Sequence, residues 1–151
     1  MAAASDRTIA LISIHPQHAR AILSRTKKVE FRKTNFNPAI KKVVLYATAP
    51  VSKIIAYFDV AHVTQIPPVT LWERFEHIGG ISRQVFDDYF KEATLGTAIG
   101  IRAVHSLAEP LQISDVSEGL RPPQSFIYLS EDQFRRIVNS NRSGHEKSTT
   151  S

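Results

Sequence analysis

The sequence lacks cysteine entirely, and this absence removes several classes of site at once. Without thiols there is no disulfide framework, no thiolate zinc site and no cysteine nucleophile. A cysteine-free chain is compatible with a reducing compartment, so we expect a cytoplasmic protein. The chain also lacks any apolar run near the roughly 18 residues of a membrane-spanning helix, and its start shows no signal-peptide pattern. We therefore expect no association with a membrane.

Several catalytic signatures are missing as well. The 151 residues contain no glycine-rich phosphate loop, no nucleophile elbow and no helix-turn-helix with a readable recognition helix. The six histidines are scattered along the chain. His15 and His18 lie three residues apart, but neither a carboxylate nor a third histidine stands near them, so no metal site is predicted. No cofactor is predicted either.

Basic residues are concentrated in one segment. The whole chain carries a net charge of +5, whereas residues 20–42 contain eight cations and one acid, a net charge of +7. The rest of the chain is therefore slightly acidic. Clustered lysine and arginine attract a phosphate backbone, so the segment favours a nucleic-acid partner. A solvated surface that is merely rich in charge is the alternative.

The hydrophobic pattern predicts a single domain over residues 8–138. Residues 1–7 are expected to be flexible, and residues 139–151, which include no apolar side chain, to form a disordered tail. Strands are predicted at 8–14, 28–33, 42–48, 53–66, 97–104 and 126–129, and helices from Pro16, Thr70, Ser82 and Ser130. Because most strands follow one another without helical crossovers, we expect an α+β fold with a mixed β-barrel flanked by helices.

The predicted second strand has the most informative pattern. Its residues alternate strictly, which puts Val29 and Phe31 in the core. Glu30 and Arg32 then lie beside each other on the opposite face, together with Lys28. A carboxylate in this position can hold the Arg32 guanidinium by a charge-assisted hydrogen bond, ready for a phosphate or a base. The alternation is equally consistent with an ordinary ion pair on a solvated strand, which would contribute at most about 1 kcal/mol to stability and would form no binding site.

Four ordered segments carry a resemblance to a known family. They are Lys27-x-x-Glu30-x-Arg32, Ser13-Ile-His-Pro16, Leu45-Tyr-Ala-Thr-Ala-Pro50 and Pro122-Pro-Gln-Ser-Phe-Ile-Tyr-Leu129. Preceded by a strand and a helix, the first of them resembles the signature of the ASCH domain, which is related to the PUA domains of RNA-modifying enzymes. The resemblance covers residues 8–129 and is to a prokaryotic branch described as predicted transcriptional regulators. One departure is Arg25, since the family usually has glycine at that place.

The resemblance implies a PUA-like barrel of five to six strands, with a cleft against the first helix that holds Lys27, Glu30 and Arg32. The residues expected to bind nucleic acid are Arg25, Lys27, Lys28, Glu30, Arg32, Lys33, Tyr46, Gln124, Ser125 and Tyr128. Gln124 and Ser125 could equally serve the geometry of the turn in which they lie. A tyrosine, Tyr46 or Tyr128, would stack on a base. We expect RNA or a nucleotide as ligand, with DNA as an alternative, and a regulatory role; no oligomeric state is predicted.

A hydrolase is the main alternative to a binding domain. Some ASCH relatives cleave RNA, and a small bacterial acetylcytidine amidohydrolase of this kind uses a motif lysine, a threonine nucleophile and a separate glutamate. Glu30 stands at the place of that threonine, so the amidohydrolase mechanism does not transfer cleanly. A metal-independent hydrolase would use Lys27 as general acid or base and Glu30 to activate water, although the surrounding cations work against this. A protein-interaction adaptor is the third alternative.

Overall fold

The computed structural model describes residues 7–150, with side chains through residue 141. This part of the chain forms six strands: β1 (Ile9–Ile14), β2 (Val29–Arg32), β3 (Lys42–Ala47), β4 (Lys53–Ile66), β5 (Gly96–Leu111) and β6 (Phe126–Tyr128). It also forms four α-helices: α1 (Pro16–Leu23), α2 (Pro68–Phe75), α3 (Arg83–Tyr89) and α4 (Glu131–Thr150). The predicted order of strands and helices is confirmed.

The six strands form one mixed sheet in the order β2-β5-β4-β3-β1-β6. Strand β1 runs parallel to β3, and the other neighbouring strands are antiparallel. The long strands β4 and β5 shift register near Asp59, Val60 and His62. Such bulges bend a strand and increase its twist, so the sheet curls. The predicted α+β class is confirmed, and the curled sheet is a half-barrel.

Three apolar clusters attach the helices to the sheet. On one face, Ala19 and Ile22 of α1 pack with strand residues such as Phe58. On the other face, α4 contributes Ile137 to a cluster that includes alternate residues of β1 and β3. The α2–α3 pair packs against β2 through Phe31 and a group of aromatic and aliphatic side chains. The two alternating faces of β1 and of β3 therefore belong to different cores.

The two edges of the half-barrel meet at a seam, where residues of β2 and its following loop contact β1 and β6. Arg32 Nη2 donates to the main-chain oxygen of Ser13 at 2.7 Å, and Arg32 Nη1 donates to Ser125 Oγ at 3.4 Å. Further along, the Asn37 amide donates to Tyr128 Oη at 2.9 Å. In the described residues, side chains rather than a backbone ladder join these edges.

The helix starts follow local signals, with one exception. Ser82 caps α3, and Ser130 and Gln133 make both hydrogen bonds of the predicted capping box, at 2.9 and 3.1 Å. The predicted start at Thr70 is wrong, since α2 begins at Pro68. Proline has the helical φ already and lacks the N–H that a first turn leaves unpaired, so the helix needs no hydroxyl cap there.

The two ends of the chain are described only in part. Residues 1–6, most of the segment expected to be flexible, and Ser151 lie outside the described residues. Helix α4 continues through Thr150, past residue 139, where the disordered tail was expected to begin. The flexibility of residues 139–151 stays a prediction. No helix in the described range is both long and apolar enough to cross a membrane.

Candidate functional site

A pocket of about 320 Å³ opens at the seam, between α1, β2, α3 and the loop before β6. Lys27, Glu30 and Arg32 line it, and we call these three residues the pocket triad. Gln124 lines the pocket from the loop before β6. The structure therefore brings the three motif residues together in one cavity.

Glu30 lies at the centre of the pocket triad. Lys27 Nζ is 3.4 Å from Glu30 Oε1, and Arg32 Nε donates to Glu30 Oε2 at 3.1 Å. The side chains of Lys27, Glu30 and Arg32 are only 3%, 9% and 11% exposed, so the alternative of an ion pair on a solvated strand is wrong. The face of β2 that alternation assigned to solvent is covered by α1 and β1. Buried charges of this kind require partners, and each has one.

Lys27 is held by a turn that lies 52 residues further along the chain. Its ammonium donates to the main-chain oxygen of Gly79 at 2.6 Å. A Cβ on Gly79 would lie 2.4 Å from a ring carbon of Phe31, and a Cβ on Gly80, which has φ +67°, would lie 2.9 Å from Lys27 Cβ. Only glycine allows the turn to approach so closely. The Gly79-Gly80 turn therefore fixes the position of the lysine.

Arg32 links the pocket to the seam. Its guanidinium donates to Glu30, to the main-chain oxygen of Ser13 and to Ser125 Oγ. Three bonds in different directions fix the plane of this side chain, which has five N–H donors in total. An anion that enters the pocket therefore meets a guanidinium that is already oriented.

Two histidines of the α1 region also line the pocket. The ring centroids of His15 and His18 are 6.3 Å apart. Burial lowers the pKa of His18, and the nearby Lys27 ammonium lowers it further, while Glu30 acts in the opposite direction. Its imidazole is therefore neutral near pH 7 and can accept a proton. The spacing of this pair in the sequence did not indicate a role in proton transfer. Among the described residues, no cluster of three or more metal-ligating side chains occurs.

Helix α3 and the segment before it supply an apolar wall. Ile81, Val85 and Tyr89 line the pocket. Val85 is an apolar residue, yet it is 52% exposed. Burial raises the pKa of Tyr89, whose hydroxyl accepts from the Lys33 amide at 3.1 Å. Lys33 Nζ lies 4.8 Å from the ring centroid of the same tyrosine, so its charge is near the pocket rim.

The two tyrosines that were expected to stack on a base do not line the pocket. Tyr46 is buried in the cluster beneath α4, and Tyr128 packs at the seam, where its hydroxyl accepts from Asn37. Tyr89 is the tyrosine at the pocket. Alternation along the strands could not reveal this, because both faces of β3 are buried.

The remaining residues expected to bind nucleic acid lie around the pocket rather than in it. Ser125 contacts it indirectly through Arg32. Arg25 and Lys28 are exposed beside it, where α1 ends and β2 begins. Arg25 has φ +67°, which lies in the left-handed region that favours glycine. This conformation explains why the ASCH signature usually has glycine at this place.

Comparison with known proteins shows a relationship that spans the fold. No family model matches the chain. The chain is 33% identical over 137 residues to a Zymomonas mobilis protein named ASCH domain-containing ribonuclease, and the match covers 88% of this chain and 92% of the relative. Its similarity to that protein is therefore not confined to a motif.

Solved structures agree with the sequence comparison. The crystal structure of ASCH from Zymomonas mobilis superposes with a TM-score of 0.82 at 31% identity, covering 89% of this chain and 96% of that one. A variant of that protein in which a serine is replaced by alanine gives a TM-score of 0.81 at 28% identity, covering 89% and 97%. Since sequence and structure match over nearly the full length of both chains, the chain belongs to the ASCH domain family.

Proposed function

We propose that this chain binds single-stranded RNA at the pocket and cleaves it. The observation that carries the proposal is the presence, in one pocket, of the pocket triad, which has a net positive charge and an oriented guanidinium, and of a neutral histidine, His18. The ribonuclease name of the Zymomonas mobilis relative supports the same activity. Phosphate attraction and proton transfer, the two requirements of RNA cleavage, are thus available side by side.

The walls of the pocket favour an unpaired nucleotide. Two cations and one carboxylate give the pocket triad a positive charge for the phosphate, while Tyr89 and Val85 offer apolar surface for a base. Specific RNA recognition usually targets bases that are free of a duplex and can be stacked on aromatic side chains. Single-stranded RNA is therefore the expected substrate.

The cleavage that this arrangement favours is attack by the ribose 2′-hydroxyl on the adjacent phosphorus. His18 takes the proton from the 2′-oxygen as the new O–P bond forms, and Arg32 stabilises the additional negative charge on the phosphate oxygens. The bond from phosphorus to the 5′-oxygen breaks, and His15 returns a proton to that oxygen. The products are a 2′,3′-cyclic phosphate and a 5′-hydroxyl.

The test is incubation of end-labelled single-stranded RNA with the protein, with and without EDTA, followed by mass spectrometry of the product ends. We expect cyclic phosphate ends, no cleavage of DNA of the same sequence, and a loss of about 100-fold or more in rate for His18→Gln. His77→Gln is the matched control, since that histidine is 89% exposed and does not line the pocket. An unchanged rate in His18→Gln would contradict the proposed role.

RNA binding without cleavage is the second candidate, and it has an observation of its own. Both oxygens of Glu30 already face cations, and Lys27 is bonded to Gly79, so neither group is free for the water activation considered from the sequence. A regulatory role would belong to this candidate. It predicts salt-dependent RNA affinity with no product in the cleavage assay.

A further inference from the structure

A second group of cations lies outside the pocket. Arg25 and Lys28 are exposed where α1 ends and β2 begins, and Arg102 is exposed on β5. Arg25 Nη2 donates to the main-chain oxygen of Arg102 at 3.3 Å, and the main-chain oxygen of Lys28 accepts from the Ile101 amide at 3.0 Å. These contacts place the three residues side by side, and we call them the rim patch.

The rim patch differs from the pocket triad in its ion pairing. None of its three cations takes part in a salt bridge within the described part of the chain. This differs from Lys27 and Arg32 in the pocket, which share Glu30. Exposed cations without carboxylate partners keep their full attraction for an incoming phosphate.

Arg25 occupies an unfavourable backbone position. It follows the C-cap residue Ser24 and has φ +67°, where residues with a Cβ are strained and glycine is preferred. Its side chain is exposed, and its hydrogen bond goes to a main-chain oxygen that solvent could satisfy. A strained residue without compensating packing points to a function for its side chain.

The rim patch is close to the pocket along the chain. Arg25 is two residues before Lys27, and Lys28 is the next residue after it, so their Cα atoms lie within about 8 Å of the Cα of Lys27. A strand with one nucleotide in the pocket would therefore carry its neighbouring phosphates past the patch.

We propose that Arg25, Lys28 and Arg102 bind the phosphates next to the nucleotide in the pocket, so that the preferred ligand is a polynucleotide rather than a single nucleotide. This inference rests on the proposed function, because it assumes RNA in the pocket. It adds a binding surface outside the pocket and a length requirement for the substrate. The contacts are to the backbone of the RNA and carry no base preference.

The test compares a single-stranded RNA of about a dozen nucleotides with a dinucleotide, both 2′-O-methylated so that the 2′-oxygen cannot attack, by fluorescence anisotropy at several salt concentrations. Arg25→Gly and Lys28→Gln should each weaken binding of the long RNA several-fold and reduce the slope of log affinity against log salt by about 0.7. Binding of the dinucleotide should stay unchanged. Arg25→Lys should retain most of the affinity for the long RNA.

A matched control separates backbone strain from charge. Ser52 is another exposed residue with positive φ, at +53°, in the turn between β3 and β4. Both Arg25→Gly and Ser52→Gly should raise Tm, by about 2–4 °C, because glycine relieves the strain. Only Arg25→Gly should weaken RNA binding.

Three outcomes would overturn the inference, and they are distinguishable. If the wild type binds the long RNA and the rim variants bind it equally well, the role proposed for the rim patch is wrong, while the proposed function stands. If the wild type binds neither RNA, the proposed function fails with it. If the variants lose affinity for poly-glutamate but not for RNA, the partner of the patch is an acidic protein surface.

Discussion

Two clusters in this protein each place one carboxylate between two nitrogen-bearing side chains, but in different surroundings. The pocket triad is almost fully buried. The other cluster, which we call the surface triad, has side chains that are 24% to 42% exposed and consists of Lys42, Asp59 and His105. The comparison shows how burial changes the dependence of such a carboxylate and its partners on one another.

The surface triad shows what such a cluster does when water can reach it. Burial alone would raise the pKa of Asp59, but hydrogen bonds from Lys42 and His105 lower it below its ordinary value. Solvent could replace either partner at small cost. In the pocket triad no such replacement is available, since removal of Glu30 would leave Lys27 and Arg32 buried without a counter-charge.

The largest expected effect comes from Glu30→Gln. This change leaves the ammonium of Lys27 and the guanidinium of Arg32 buried without a carboxylate, and we expect a loss of about 3–5 kcal/mol in the free energy of unfolding. Urea denaturation measures it. A loss below about 1 kcal/mol would mean that the two triads do not differ in the way proposed.

The second prediction tests the turn that holds Lys27. Gly80→Ala adds a Cβ at a positive φ and also places it 2.9 Å from Lys27 Cβ, whereas Gly119→Ala adds a Cβ at φ +81° with nothing within 4 Å. Overpacking should make Gly80→Ala the more destabilising by about 1–3 kcal/mol, as measured by denaturation. Equal losses would show that backbone strain alone requires glycine at position 80.

The third prediction concerns the surface triad. Asp59→Asn removes its carboxylate charge, and we expect a loss of at most about 1 kcal/mol, since both partners remain partly hydrated. Thermal melts at 0.1 M and 1 M salt measure it, and the difference between wild type and variant should shrink as salt screens the pair. A loss of stability as large as that of Glu30→Gln would contradict the claim that burial distinguishes the pocket triad from the surface triad.

The smallest expected effect is a pH dependence of stability from the histidines. The pKa values of His18 and His62 are lowered in the fold, chiefly by burial, so the unfolded chain binds more protons near and below the ordinary value of 6.5. Stability should therefore decrease as pH falls through 6.5. Denaturation at pH 7.5 and 5.5 should show a smaller decrease in His18→Gln. An unchanged pH dependence would contradict the assignment.

Much of the fold was predictable from the sequence because its signals are local. Alternating residues and apolar runs give the strands, and the hydroxyl caps at Ser82 and Ser130 give two helix starts. The exception at Thr70 arose because a proline pair provides a start signal of its own. The mixed sheet also followed from the order of the elements, since few helical crossovers separate the strands.

The candidate site was predictable only in part, because its surroundings depend on distant segments. Alternation showed that Glu30 and Arg32 share a face, but not that the curl of the sheet would bring Ser13 and α1 over it. Gly79 contributes a main-chain oxygen to the site. Because every residue type carries such an oxygen, the sequence does not indicate which one will bind Lys27. Tyr89 became the aromatic wall because α3 packs over β2, a contact that the sequence of β2 does not encode.

The seam has a consequence for how these molecules behave beside one another. In the described residues β2 has a backbone ladder only with β5, and its other edge faces the seam, where a strand from a second molecule would have to displace the hydrogen bonds of Arg32. Such a strand would have to approach Arg32 and Lys33 at the end of β2 and Lys28 at its beginning. Charged side chains at a sheet edge are a common defence against edge-to-edge aggregation. The charges gathered around β2 and the side-chain bonds of the seam therefore also help to keep this edge from recruiting other chains.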